Sequence, residues 1–335
     1  MIRKSTMEIE LLKIANTIII NNGKVNSMGL LNGKMGLALF LYYYARYIDP
    51  RYKAYADQLI EEIQEKIQKE RHSGYADGLA GVGVGIEHLI QQGFIEGDAN
   101  EILEEFDEHI HNIVTRYPGQ IDMINGITGY GKYYIARLND SNNHKNNNPC
   151  ANRIREQLFK IVDLLSMPYD KYEHLYSVID FLPDIINLNI NREKAVDFFN
   201  YASDKLETIV YEDVLEGKYP ENFNPLIAAV LLLRASTKIN NDDYAARALH
   251  FLDQYEVSFR QYLSGEQAIK WSFLYNILWK ACNRDIYKEL SIQWLEKFTT
   301  SNLIFDYNNL STTGMMMLTM DKTMNDEWLD LFPLY

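Results

Sequence analysis

Apolar residues recur three and four positions apart along most of this chain, which is the spacing of an amphipathic helix. Leu37, Phe40, Leu41 and Tyr44 show the pattern in one segment. Strand-like alternation bounded by turn residues is hard to find, and the 335 residues include only 8 prolines and 18 glycines. The pattern of apolar and polar positions therefore predicts an all-α fold.

A short motif, Asn/Asp-Gly-x-x-Gly, occurs three times in the first half of the chain. Its copies span residues 32–36, 77–81 and 125–129, and their first glycines lie 45 and 48 residues apart. Apolar helices are predicted after them at 37–46, 82–91 and 130–138, and amphipathic helices with a charged face at 50–70 and 99–115. A helix that is apolar nearly all round is buried on all sides, whereas one with a charged face lies outside. The repeating unit is therefore a helical hairpin, and inner and outer helices in alternation describe an α/α toroid.

The residue types of the motif have physical explanations. Asn or Asp before a helix is expected to cap its first free N–H groups, as Asp77 would. The paired glycines remove side chains from the first turn, so that neighbouring backbones can approach closely.

The same period predicts later inner helices near positions 175, 226, 274 and 311, beginning at residues 178, 230, 278 and 315. Seven hairpins of about 46 residues account for the whole chain. We therefore expect an (α/α)₇ toroid in a single domain, residues 1–335.

Charge and cysteine content exclude several classes of function. Asp and Glu outnumber Lys and Arg by 46 to 33, and the formal charge of −13 disfavours a nucleic-acid partner, because such binding needs clustered cations. The longest apolar run, residues 226–233, is far shorter than the ~20 residues of a membrane span. Cys150 and Cys282 belong to no CxxC pair and indicate free thiols in a reducing compartment. We expect a cytoplasmic protein without a membrane span.

The three glycine motifs on this period resemble the lanthionine synthetase C-like (LanC-like) family. The resemblance is specific over residues 28–138 and rests on the period beyond them. It implies an (α/α)₇ barrel whose inner helices begin at GxxG loops. It also implies that members with cyclase activity bind one zinc ion at the barrel mouth and add a peptide cysteine thiolate to a dehydroalanine or dehydrobutyrine. Zinc would keep that thiol deprotonated at neutral pH.

The sequence departs from the family at the positions of the zinc ligands. The resemblance places Trp271 and Ser272 where the family has a Cys after a Trp, and residues 309–311 where it has Cys-His-Gly. Residues 224–226 replace its Ala-His-Gly. A hydroxyl and an amide do not substitute for two thiolates on zinc, and no part of the second half contains a Cys-His pair. We expect no metal and no other cofactor.

The loops before the inner helices supply the candidate binding residues. Six positions at the expected barrel mouth are candidates for contacts with a substrate: Asp77, Asp122, His174, Trp271, Ser272 and Asn309. Asp122 has an alternative interpretation as a tether within its own loop. His88 is interpreted as a core histidine rather than a ligand, and His109 and His111 face apart on a helix, which argues against a shared metal.

Three functions remain open at this point. The favoured one is a zinc-free LanC-like protein that binds a peptide substrate or a modification enzyme as a scaffold. The second is a working thioether-forming cyclase that takes zinc from Cys150, Cys282 and His174. The third is a carbohydrate-active α/α toroid that uses Asp77 or Asp122 as acid or base, with Asp306 as a further carboxylate.

Overall fold

A computed structural model describes most of the chain. The described residues are 2–31, 33–67, 72–116, 120–139, 149–165, 169, 171–215, 225–254, 265–300, 309–322, 324 and 327–335. Every regular element within these ranges is helical, which confirms the all-α prediction. In the described part of the chain, no helix combines the length and apolarity that crossing a bilayer requires.

The helices alternate between largely buried and amphipathic ones, as the repeat predicts. In chain order they are α1 (Ile2–Asn21), α2 (Lys34–Tyr47), α3 (Lys53–Ile67), α4 (Leu79–Gln91), α5 (Ala99–Ile102), α6 (Glu104–Arg116), α7 (Ile127–Leu138), α8 (Pro149–Leu164), α9 (Tyr172–Asn187), α10 (Arg192–Leu215), α11 (Pro225–Ile239), α12 (Asp242–Gln254), α13 (Gly265–Cys282), α14 (Asp285–Thr300) and α15 (Leu310–Asp321).

The chain divides into two compact units, each assembled from separate stretches of sequence. Unit 1 comprises Met1–Ile102 and Phe259–Pro333, and unit 2 comprises Leu103–Ser258 and Leu334–Tyr335. In unit 1 the inner helices lie side by side in the order α4, α2, α15 and α13, with α3 packed on α2, α14 on α13 and α1 on α15. In unit 2 the inner helices follow the order α7, α9 and α11, with α8, α10 and α12 as their outer partners.

All seven predicted inner helices are present, and all begin earlier than predicted: α2, α4 and α7 slightly, and the four later helices by more than one turn. The helices α2, α4 and α7 lie within a few residues of the predicted bounds, and α9, α11, α13 and α15 contain the predicted positions 175, 226, 274 and 311. The predicted starts at 178, 230, 278 and 315 are wrong; α13 begins at Gly265. No glycine pair marks these later starts. The first turn of each later helix contains polar residues, and its sequence therefore resembles that of a loop.

The three glycine loops close in the same way. In each, the first helical residue donates its N–H to the carbonyl seven positions earlier: Lys34 to Ser27 at 3.0 Å, Leu79 to His72 at 3.0 Å and Ile127 to Gln120 at 2.9 Å. The repeat seen in the sequence is therefore a repeat of backbone hydrogen bonds.

The capping role expected for Asp77 is wrong. Gly33, Gly78 and Gly126 themselves occupy the N-cap positions, and no side chain caps these helices. The loop carbonyls already accept the N–H groups that a capping side chain would bind, so a carboxylate is not needed there. Asn32 lies outside the described residues.

The close approach expected of the glycines is confirmed. A Cβ at Gly36 would overlap the carbonyl oxygen of Leu30, and one at Gly81 would overlap that of Tyr75. Most of the crowding is therefore within each loop. The first two loops also touch each other, since the N–H of Leu31 donates to the carbonyl of Ala76 at 3.0 Å.

Candidate functional site

The starts of α13 and α15 lie together in unit 1. Asn309, exposed just before α15, donates from its side-chain amide to the Glu266 carboxylate in the first turn of α13, at 3.2 Å. Ser311 follows, and a Cβ at Gly36 would lie 3.1 Å from its hydroxyl oxygen. The helices α2, α15 and α13 therefore begin at the same end of unit 1.

Ser272 lies two turns inside α13 and not at its start. It is fully buried, and its hydroxyl donates to the carbonyl of Ser291 on α14 at 2.7 Å. The Ser291 hydroxyl donates in return to the carbonyl of Ser272 at 2.8 Å. This reciprocal pair joins an inner helix to its outer partner. Trp271, the neighbouring candidate, is half-buried on the same helix.

Asp77 has a buried carboxylate oxygen that needs a donor. The residue is half-buried in the loop before α4, and its Oδ1 meets no hydrogen-bond partner among the described residues. A buried polar atom without a partner costs roughly 1–3 kcal/mol. Loops that retain such an atom are candidates for binding a ligand, and Asp77 is the candidate that this observation favours in unit 1.

A lysine that the sequence analysis missed lies beside these candidates. Lys270 precedes Trp271 on α13, and desolvation by burial lowers the pKa of its ammonium group to about 8. No described carboxylate forms an ion pair with it. Its sequence signal was a cation followed three, four and seven positions later by the apolar Phe273, Leu274 and Ile277. A lysine with a pKa near neutrality is a candidate for proton transfer or for binding an anionic group.

In unit 2, Asp122 is a loop tether, as the alternative interpretation predicted. Its Oδ1 accepts the backbone N–H of Asn125 at 2.8 Å, which holds the turn before α7. His174 is half-buried in the first turn of α9, and its backbone N–H donates to Lys171 at 3.1 Å. Asp122 and His174 thus belong to unit 2, whereas the other four candidates belong to unit 1.

Charged side chains connect the three inner helices of unit 2. Lys132 of α7 is 4% exposed, and its Nζ lies 3.2 Å from the Asp180 carboxylate and 3.3 Å from the Asp184 carboxylate, both on α9. On α11, Arg234 lies 3.6 Å from Asp180 and Lys238 lies 2.6 Å from Asp184. The sequence analysis missed this network, although its two acids lie four positions apart on α9 and its two outer cations lie four positions apart on α11.

Comparison with known proteins finds one similar family and one similar fold. The sequence model of the family described as lanthionine synthetase C-like protein matches residues 24–178. The solved structure of nisin cyclase matches with a TM-score of 0.68 at 14% sequence identity, covering 97% of this chain and 98% of that one. Residues 24–178 match the LanC-like family model, and the fold over nearly the whole chain is similar to that of nisin cyclase. No curated protein sequence matches it.

The match to the LanC-like family model confirms the resemblance that the glycine motifs indicated. The family match ends at residue 178, soon after the third motif, and the structural match extends over nearly the whole chain. The α/α-toroid fold class is confirmed on that structural similarity. The fold carries no activity by itself, so function must be argued from the residues.

The residues that the resemblance places at the zinc positions, Ser272 and Asn309, do not offer the ligands of a zinc ion. The Ser272 hydroxyl is buried and donates to Ser291, and the Asn309 amide is bound to Glu266. Neither group offers the thiolate or imidazole lone pair that a structural or catalytic zinc site uses. In the described parts of the chain, no group of three or more His, Cys, Asp or Glu side chains is placed to hold a metal ion.

The two cysteines offer weak alternatives. Cys150 is the second residue of α8 in unit 2, and Cys282 is the last residue of α13 in unit 1. Burial raises the pKa of the Cys282 thiol, with Arg284 opposing the rise. A raised pKa disfavours the thiolate that binds metal or attacks an alkene. Asp306 lies outside the described residues.

Proposed function

We propose that this chain is a zinc-free LanC-like protein of a lanthipeptide-type modification pathway, where it binds a peptide or a modification enzyme as a scaffold. Its family and the name of its structural neighbour, nisin cyclase, support peptide modification as the setting. Its net charge of −13 argues against nucleic acid.

The observation that carries the proposal is the chemistry at the positions of the family's zinc ligands. The Ser272 hydroxyl forms a hydrogen bond between α13 and α14, and the Asn309 amide forms one between the starts of α15 and α13. Both side chains therefore stabilise contacts between helices. A cyclase of this family would use thiolates there to hold the metal that activates the substrate thiol. This chain has kept the helices and replaced the ligands.

Peptide binding has support from the groups at the starts of the inner helices. The free Oδ1 of Asp77 can accept an N–H from a peptide backbone, and the exposed Asn309 has a second amide hydrogen and a carbonyl oxygen. Lys270, with its pKa near 8, can pair with a peptide carboxylate.

The proposal is tested by metal content and thioether formation together. The protein is purified from zinc-supplemented medium, its metal is measured by mass spectrometry, and it is then mixed with a synthetic peptide carrying one dehydroalanine and one cysteine. We expect well under one zinc per chain, measurable peptide binding, and thiol loss at the uncatalysed rate with or without added zinc. Stoichiometric zinc, or thiol consumption that zinc accelerates, would establish the cyclase instead.

The carbohydrate-active alternative is tested separately. Asp77 belongs to unit 1 and Asp122 to unit 2, and the Asp122 carboxylate already holds its own loop. Release of reducing sugar from oligosaccharides, lost in the double variant Asp77→Asn, Asp122→Asn, would support that activity. The absence of hydrolysis in the unmodified protein would exclude it.

A further inference from the structure

The segment 327–335 is anchored in unit 1 before it reaches unit 2. Trp328 is fully buried, and its indole N–H donates to the Thr319 hydroxyl of α15 at 2.8 Å. The Leu331 carbonyl accepts the Tyr75 hydroxyl at 2.8 Å. Residues up to 333 therefore have a fixed position in unit 1, and only the last two residues belong to unit 2.

Tyr335 fills a pocket within unit 2. Its ring lies against the Tyr176 ring of α9, with centroids 5.6 Å apart and planes tilted by 41°. Its hydroxyl donates to the Met123 sulfur, 3.4 Å away in the loop before α7. Leu334, next to it, is 1% exposed. The pocket thus combines an aromatic wall and a thioether, a common environment for an aromatic side chain.

Polar groups line the inner end of this pocket. Burial raises the pKa of the Tyr335 phenol, and the Asp180 and Asp122 carboxylates raise it further, whereas a hydrogen bond from Ser177 and the charge of Arg234 lower it. The phenol is therefore surrounded by charges of both signs from the loop before α7, from α9 and from α11. A ligand that enters this pocket would meet Asp180 and Arg234, which belong to the charge network of unit 2.

The polar groups of the pocket are poorly satisfied by the residue that occupies it. A thioether is a weak acceptor, so the phenol makes a weak hydrogen bond there. Ser177 is 1% exposed, and its hydroxyl reaches the Tyr335 phenol only in a poorly aligned hydrogen bond. A buried hydroxyl in this state costs free energy that a better-placed ligand would recover.

We propose that this pocket recognises an aromatic side chain of a bound peptide, and that Tyr335 is a built-in occupant which the peptide displaces. This inference rests on the proposed peptide-binding function and adds the class of side chain that is recognised. Displacement moves Leu334 and Tyr335 out of unit 2, while the segment before them remains anchored in unit 1 through Trp328 and Leu331. The apparent affinity for a peptide falls by the fraction of protein in which the pocket is filled.

The experiment uses a small probe and three variants. N-acetyl-leucyl-tyrosine amide is titrated by calorimetry into the unmodified protein and into Tyr335→Ala, Tyr335→Phe and Tyr211→Ala. Tyr335→Phe keeps a ring in the pocket, and Tyr211 is a 58% exposed tyrosine on α10 that serves as the matched control. N-acetyl-leucyl-alanine amide tests whether the ring is needed.

We expect Tyr335→Ala to bind the tyrosine probe at least tenfold more tightly than the unmodified protein, and the alanine probe at least tenfold more weakly than the tyrosine probe. Tyr335→Phe and Tyr211→Ala should bind like the unmodified protein. Equal affinities for Tyr335→Ala and the unmodified protein, or equal affinities for the two probes, would overturn the proposal.

A second measurement covers the case in which Tyr335→Ala does not fold. 3-Fluorotyrosine is placed at position 335 of the full chain, and the fluorine NMR signal is followed during titration with the tyrosine probe. Displacement should move the signal towards that of a solvent-exposed tyrosine, and an unmoved signal at saturating probe would refute it. A dehydrated peptide that still binds would then show that the peptide-binding proposal survives without this pocket.

Discussion

His88 shows how a polar residue becomes part of the core of unit 1. It is 6% exposed on α4, and its Nε2 lies 2.7 Å from the Tyr43 hydroxyl of α2. The interpretation of His88 as a core histidine is confirmed. Burial lowers its pKa to about 4, with the Arg46 charge adding to the effect and Asp330 opposing it. The neutral ring can accept a hydrogen bond from the Tyr43 hydroxyl at pH 7.

This pKa predicts a stability change in acid. Between pH 6.5 and about pH 4 the unfolded chain binds a proton at His88 and the folded chain does not, so the free energy of unfolding should fall as the pH drops through that window. His88→Gln should remove the contribution, which is about 2–3 kcal/mol over the window. Urea unfolding at pH 7, 5.5 and 4.5 measures it.

The control for this prediction is an exposed histidine. His250→Gln, on the solvent side of α12, introduces the same side chain without touching the core. A His88→Gln variant whose pH dependence matches that of the unmodified protein would contradict the assignment of a low pKa to His88.

At the scale of single elements, buried ion pairs attach outer helices to inner ones. Arg137 of α7 is fully buried, and its guanidinium grips the Asp107 carboxylate of α6, with the shorter contact at 2.9 Å. Tyr133 donates to the same carboxylate at 2.6 Å. The Asp107 carboxylate thus accepts hydrogen bonds from two side chains of α7, Tyr133 and Arg137. Its removal would take this acceptor from both of them.

We therefore expect Asp107→Ala to lower the free energy of unfolding by about 3–5 kcal/mol, because it leaves a buried cation without its carboxylate. Asp163→Ala is the matched control, since the Asp163–Lys194 pair is exposed and its two side chains meet at 2.9 Å. The control should cost less than about 1 kcal/mol. Chemical denaturation of both variants makes the comparison, and equal losses would refute the proposed role of burial.

The glycine loops give a second prediction at this scale. A Cβ at Gly81 would overlap the Tyr75 carbonyl oxygen and press on the Leu30 side chain, so Gly81→Ala should destabilise the fold by about 1–3 kcal/mol or more. Gly23→Ala meets nothing within 4 Å and should be nearly neutral. Thermal unfolding of the two variants tests the difference, and a neutral Gly81→Ala would show that the loop can relax.

The positions of the inner helices could be predicted from the sequence, whereas the signals that mark the ends of the later ones were missed. Three motifs located α2, α4 and α7, and the period alone located four later helices. Asparagines with positive φ mark turns after later inner helices, and this signal was not used: they are Asn189, Asn240 and Asn283, with φ of 55°, 56° and 50°. Asn adopts this left-handed conformation more readily than most residues, so it ends a helix as glycine does.

At the scale of the whole molecule, we expect apolar burial in both units to supply the stability without support from a metal. The inner helices α2, α4, α7 and α11 bury almost every side chain, and chains of this length fold without metal or disulfide support. Adding EDTA and 1,10-phenanthroline should therefore shift the unfolding temperature by less than about 1 °C. A drop of several degrees, restored by zinc, would show a metal that contributes to folding.

The candidate site was predictable only in part for a physical reason. Asp77 and Asn309 could be predicted as candidates because they precede helices, and the start of a helix can be predicted from local sequence. Ser272 was placed by motif alignment, and the structure shows that it joins two helices. Lys270 and the network around Asp180 depend on which side chains meet from different helices, which the spacing along one helix does not report.

The sequence alone determined the helical class and the period of the hairpins, because periodicity and glycine sterics are properties of local sequence. Tertiary structure alone decided which buried charges pair, which polar atoms stay without partners, and that Tyr335 enters a pocket of unit 2. These features depend on distances between residues far apart in the chain, and burial in a low-dielectric interior gives them their energetic weight.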